Sequence, residues 1–230
     1  MLSVTVPQGL ESYFLGKETK TPIYWFYQYC KVKHPFIFIH EVDQELFYQF
    51  FLYWLPKESN CMNFQKAQIL LEELQYFWEY VFRQTGVNLS SVYLPIVNEL
   101  EEEFLRIMQV QYELKRSIGH PIVNIDPLII DLIGYKKLQA RKKERRQGMI
   151  FEQGYFEMID VVDQYGVILK KKWSPERYVK ILVDPSIRQL LRKGDLLHMR
   201  LRRKLFFTCW DMEEIKSCYL PQAQEYLSQK

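Results

Sequence analysis

Glu157-Met158-Ile159-Asp160-Val161-Val162 is followed by Asp163-Gln164-Tyr165-Gly166 and then by Val167 to Trp173. In the first run Met158, Asp160 and Val162 alternate with Glu157, Ile159 and Val161. That is a period of two, and the next four residues have turn chemistry. The pattern predicts two antiparallel strands. Downstream, Tyr178 to Val183 reads as a third strand ended by Asp184-Pro185, and a short helix through Leu191 leads to the Gly194-Asp195 turn. Leu196 to Arg202, Lys204 to Trp210 and about Glu214 to Leu220 complete the set. Five or six short strands in about 70 residues predict a small closed or partly closed barrel.

Upstream of Gly148 the period is that of a helix. Thr21-Pro22 reads as a cap and first position opening Ile23 to Lys31, closed by His34-Pro35. Asp43 caps a second helix reaching Leu55, with Leu46, Phe47, Phe50, Phe51 and Trp54 on one face and Pro56 at its end. Ala67, Leu70, Leu71, Leu74, Phe77, Trp78 and Val81 fall at three-and-four spacing, and Gly86 stands where a left-handed cap belongs. A fourth helix runs from about Val92 to Arg116, with Val97, Leu100, Phe104, Ile107 and Met108 inward. Asp126-Pro127 opens another, Leu128 to Gln147. The expected fold is α+β: an all-helical N-terminal domain, 1–147, with a basic connector helix at its end, followed by a small C-terminal β-barrel, 148–230.

The chain has 230 residues, 48% of them hydrophobic and 26% charged, which is the composition of a folded protein. Its longest dense apolar stretch, Leu46 to Leu55, is broken by Gln49 and falls well short of the about 20 residues of a membrane span. Met1 to Pro7 has no basic region leading into a long apolar run, so no secretory signal is expected. Cys30, Cys61, Cys209 and Cys218 form no C-x-x-C, which favours free thiols in a reducing cytoplasm. A Cys209–Cys218 bridge across a hairpin is the alternative.

The charges separate along the chain. Residues 1–134 hold 10 Lys and Arg against 16 Asp and Glu, a net of −6, whereas 135–230 hold 21 against 12, a net of +9. Of 36 aromatic residues, 24 precede Gly134. Lys136 to Arg146 contains seven basic residues and one acid, enough to neutralise phosphates, although on a helical wheel they lie all round. On Leu197 to Arg202, strand alternation sends His198, Arg200 and Arg202 to one face, with Lys170, Lys172 and Lys180 at matching polar positions. Phe206, Phe207 and Trp210 are aromatic neighbours, as a single-strand platform requires, though some must fill the barrel. The candidate nucleic-acid contacts are therefore Lys142, Lys143, Arg145, Arg146, Arg200, Arg202 and Arg203. A solvated connector and an ordinary barrel exterior are the competing readings. The aromatic runs Tyr24–Tyr29, Phe47–Trp54 and Tyr76–Phe82 read chiefly as core.

No phosphate loop, dinucleotide fingerprint or nucleophile elbow is present in the sequence. Glu99, Glu101, Glu102 and Glu103 read as a solvated acidic face, and His34, His40, His120 and His198 show no ligand spacing. No catalytic residue, metal ligand or cofactor is assigned.

Two resemblances bear on the fold. Glu41 to Phe51, taken with Leu70 to Val87 and its Tyr76-Phe77-Trp78-Glu79-Tyr80-Val81-Phe82 run, resembles the helical core-binding domain of tyrosine recombinases, which clamps DNA. The catalytic half does not carry over, because no H-x-x-R precedes a suitably placed tyrosine. From Val42 onward the layout is similar to uncharacterised bacterial proteins that join helices to a small barrel. The similarity is carried by Gly154 to Asp160, Val179 to Pro185 and Leu191 to Leu201. It implies the fold and no activity.

The leading expectation is a non-enzymatic cytoplasmic binding or adaptor protein, with an acidic helical scaffold, a basic barrel for an acidic partner, and no membrane association. Direct DNA or RNA binding through the basic connector and barrel face is the alternative. An enzyme with a composite site assembled by folding is the third.

Overall fold

The structure, a computed structural model, describes residues 4–15, 21–118 and 148–228. It is α+β, with helices through the N-terminal part and a five-stranded sheet in the C-terminal part. The sequence-predicted helix Leu128 to Gln147 and the basic run Lys136 to Arg146 lie outside the described residues. Two compact units are present, Met1–Tyr112 with Cys218–Lys230, and Glu113–Ser217. The chain end from Cys218 onward thus belongs with the helices, although the sequence grouped it with the strands.

In the helical unit, α1 (Val6–Phe14) opens with a reciprocal cap. Thr5 Oγ1 accepts from the Gln8 N–H while Gln8 Oε1 accepts from the Thr5 N–H, and Pro7 sits in the first turn. α2 (Tyr24–Lys33) is capped differently from expectation. Its first turn is approached by Glu73, whose carboxylate accepts from the Ile23 N–H at 2.9 Å, a partner 50 residues away that no local pattern reveals. α3 (Gln44–Tyr48) starts at Asp43 as expected, with its carboxylate accepting from Leu46 N–H.

Pro56 does not end that helix. The chain passes through a π-helical turn (Gln49–Trp54) into α4 (Leu55–Glu58), and the Leu55 N–H reaches back to the Phe50 carbonyl. The wider turn gives the proline ring room that an α-turn would deny it. It also lets Phe50, Phe51, Leu52, Trp54 and Leu55 all be buried. α5 (Phe64–Thr85) is capped by Asn63 and closed by Gly86 at φ 74°, a backbone that favours glycine. All seven residues of its sequence stripe are buried. α6 (Ser90–Ser117) buries Leu100, Phe104, Ile107 and Met108 as expected. Its first turns use Tyr93 and Ile96 in place of the half-buried Val97.

Aromatic rings form the centre of this unit. Phe26, Phe47 and Trp78 meet pairwise at 5.7–6.0 Å between ring centres. The returning C-terminal segment carries α8 (Gln224–Leu227) and is fastened by polar contacts. Tyr226 Oη donates to Glu45, and the Cys218 N–H donates to Gln111 Oε1 at 2.7 Å.

In the second unit the strands are β1 (Met149–Val161), β2 (Gly166–Lys171), β3 (Tyr178–Leu182), β4 (Leu196–Lys204) and β5 (Cys209–Tyr219), with α7 (Pro185–Leu190) between β3 and β4. Hydrogen-bonded neighbours follow the order β1, β2, β3, β5, β4. β1 is long enough to pair antiparallel with β4 through its first half and with β2 through its second. β2 pairs antiparallel with β3, and β3 parallel with β5. A bulge between Met158 and Asp160 shifts the register with β2, and the pairing resumes at Asp160–Ile168 and Val161–Val167. At the bulge the Met158 N–H donates to Asp195 O and the Met158 carbonyl accepts from the Gly194 N–H. The two strands expected over Lys204–Trp210 and Glu214–Leu220 are one strand, β5, preceded by a turn through Leu205–Thr208. All four cysteines are free thiols. Among the described residues no helix is long and apolar enough to cross a membrane.

Candidate nucleic-acid interface

β4 carries three of the seven candidate contacts. Leu197, Met199 and Leu201 are buried, and the alternate positions place His198, Arg200 and Arg202 on the outer face. Each outer residue has a partner on a neighbouring strand. Arg200 Nε pairs with Glu213 at 2.9 Å and its guanidinium lies 5.0 Å from the centre of the Phe151 ring. Arg202 faces Asp211 at 3.9 Å. His198 stacks on Tyr155 at 4.3 Å, and Tyr155 meets Trp173 edge-on at 5.2 Å. Burial, then the nearby Lys216, pushes the His198 imidazole down to about 4, with Glu214 opposing. It is therefore neutral at pH 7.

The three lysines at matching polar positions are also engaged. Lys170 pairs with Glu176 (3.2 Å), Lys172 with Glu157 (3.1 Å) and Lys180 with Asp163 (2.9 Å). Lys180 and the Tyr165 and Gly166 N–H groups together pull the Asp163 carboxyl down to about 2. Residues 148–217 contain 13 Lys and Arg against 10 Asp and Glu, a net of only +3, whereas 135–147 contain seven against one, a net of +6. The basic excess of the second half therefore resides mainly in the run outside the described residues, which includes Lys142, Lys143, Arg145 and Arg146.

Arg203 does not share the stripe of Arg200 and Arg202. The alternation carries it to the side of Leu201, where its guanidinium lies 4.9 Å from the Trp210 ring centre and one N–H donates to the Phe207 carbonyl at 2.7 Å. Trp210 itself is buried.

Sequence reasoning missed Trp173 and Tyr178, and it placed Phe206 and Phe207, already named beside the cations, in a strand and not in a turn. Trp173 (φ 51°) and Tyr178 flank the β2–β3 connection, and Lys170 lies 5.7 Å from the Tyr178 ring centre. Leu205, Phe206 and Phe207 form the β4–β5 turn. Phe206 is 93% exposed at φ 76° and Phe207 lies under Lys204 at 5.9 Å. The signal was present as three apolar residues directly after Arg202-Arg203-Lys204. Reading that stretch as a strand concealed it. Among the described residues, no group of three or more His, Cys, Asp or Glu is placed to hold a metal ion. No family model, curated protein or solved structure matches the chain.

Proposed function

We propose that the chain is a non-enzymatic cytoplasmic binding protein whose strand unit is a small closed barrel that takes single-stranded nucleic acid. The helical unit then serves as the acidic scaffold for protein contacts. One observation carries the reading: exposed aromatic rings at Trp173, Tyr178, Phe206 and Phe207 accompany Lys and Arg on a five-stranded sheet. Bases stack on such rings whatever their identity, and neighbouring cations hold the backbone. Closure is supported by the pairing of β1 with both β2 and β4 and by β5 standing beside β3. A five-stranded barrel with a helix after its third strand is of the OB type, whose strands 2 and 3 and whose first and last hairpin loops bind oligonucleotides and oligosaccharides. Architecture alone selects no ligand; the rings and cations do that here. The second reading, an acidic protein partner, draws on the same basic half; the ion pairs at Arg200 and Lys172 leave those two cations less available to either ligand.

Binding of single-stranded oligo(dT) at two salt concentrations separates the two. The slope of log affinity on log salt is about −0.7 per neutralised phosphate. Phe206→Ala should weaken binding about tenfold or more at unchanged slope, because one stacked base is worth about 1–3 kcal/mol. Wild-type binding weaker than ~10⁻⁴ M at ~50 mM salt removes nucleic acid as the ligand and leaves the protein partner.

A further inference from the structure

At one end of the sheet the inward-facing alternation changes chemistry. On β4, Leu197, Met199 and Leu201 are succeeded by Arg203; on β2, Val167 and Leu169 by Lys171; on β1, Phe156 and Gly154 lead back to Glu152. Arg177, just before β3, joins them, and Trp210 at the start of β5 lies beneath both guanidiniums, 4.9 Å from Arg203 and 5.8 Å from Arg177. Glu152 is buried, with Lys171 Nζ on one oxygen at 2.8 Å and an Arg177 N–H on the other. Gly154 makes this arrangement accessible. It adopts φ 152°, and a Cβ there would stand 3.3 Å from the Lys171 stem on its way to Glu152.

The charges do not balance. Lys171 and Arg177 together engage both oxygens of the single carboxylate, and Arg203 shares the Trp210 ring with Arg177. Among the described residues Arg203 has no acidic partner, and its Nε–H is buried with no acceptor at all. A buried charged donor without an acceptor is costly, and a purely structural ion pair would leave none. Arg177, with a side chain 45% exposed, keeps the cluster open to solvent.

We infer that this end of the sheet is a seat for a phosphate-type oxyanion, gripped by Arg203 and Arg177 over the Trp210 ring, with Lys171 behind them. Guanidinium forks suit phosphate oxygens, which supply the acceptors that Glu152 cannot. The source of the anion rests on the nucleic-acid reading, in which a backbone phosphate fills the seat; free phosphate has the same chemistry. Arg203 and Lys171 take inward positions of β4 and β2, and Arg177 reaches them from the loop before β3.

Titration of the full ¹⁵N-labelled chain with inorganic phosphate, against chloride at equal ionic strength, tests this on the wild-type protein. The Arg203 Nε–H and Trp210 indole N–H resonances should move saturably with phosphate and stay put with chloride. Arg203→Gln should weaken phosphate binding about tenfold or more, as expected for losing a hydrogen bond to a charged group. Arg203→Lys should fall between, and Lys193→Gln should change nothing. A linear drift shared by both anions overturns the inference. Saturable phosphate binding without oligo(dT) binding leaves the seat standing for free phosphate and removes the nucleic-acid reading. Oligo(dT) binding with both resonances unmoved by phosphate removes the seat and leaves that reading intact.

Discussion

Gln111 joins three distant segments of the helical unit through one side chain, so Gln111→Leu should unfasten them. The residue is 1% exposed on α6; its amide nitrogen donates to the Ser59 carbonyl at 2.7 Å, and its oxygen accepts from the Cys218 N–H at 2.7 Å. Leucine roughly conserves volume and removes both bonds. The Cys218 N–H, in a fully buried residue, then loses this acceptor, which costs about 1–3 kcal/mol; loss of the bond to Ser59 adds about 0.5–1.5 kcal/mol. A total near 2–4 kcal/mol is expected, a large part of a typical domain's stability. Denaturant titration measures it, provided the slope of the transition stays constant. Hydrogen exchange at the Cys218 amide supplies the local readout, because the variant should accelerate exchange there more than at Trp78 in the helical core. A loss below about 0.5 kcal/mol with unchanged Cys218 exchange would refute the role of the amide as the fastener.

Three further outcomes are expected. Leu74→Ala should cost about 2–5 kcal/mol by denaturant titration, since Leu74 is fully buried in the α5 stripe and alanine leaves a cavity; a cost under about 0.5 kcal/mol would mean that the face is open. Because the His198 pKa is depressed to about 4 in the fold and is near 6.5 unfolded, the unfolded chain binds more protons between those values. Stability should therefore fall as pH drops from about 6.5 towards 4, and His198→Gln should flatten that part of the melting-temperature profile; identical profiles would contradict the assignment. Phe206→Gly should leave stability unchanged or raise it by up to about 1 kcal/mol, because φ 76° suits glycine and the ring is almost wholly exposed. The same variant should weaken oligo(dT) binding, and a stability loss above about 1 kcal/mol would show that the ring packs.

Much of the fold was legible because it depends on neighbours along the chain. The α5 stripe, the Asp43 cap and the Gly86 terminus require residues no more than four apart, and the β4 alternation requires only every second one. The π-turn before Pro56 was not legible. Proline reads locally as a stop, and a widened turn followed by continued helix satisfies the same steric demand. The Leu205–Thr208 turn escaped for a related reason, since its hydrophobic residues mimic a strand while lying exposed at its end.

The candidate site was legible as an inventory of cations with Phe206, Phe207 and Trp210 as their aromatic neighbours. Sequence by itself determined the helical and strand periods, the caps and the uneven charge of the two halves, all properties of residue order and composition. Tertiary structure decided which cations remain available. Lys172 meets Glu157 across 15 residues and Lys171 meets Glu152 across 19, while Arg203 turns inward to Trp210 and, among the described residues, meets no acid. Coulomb attraction and hydrogen bonding act over a few ångströms of space, and strand register, which sets those distances, is fixed by pairings between segments far apart in the chain.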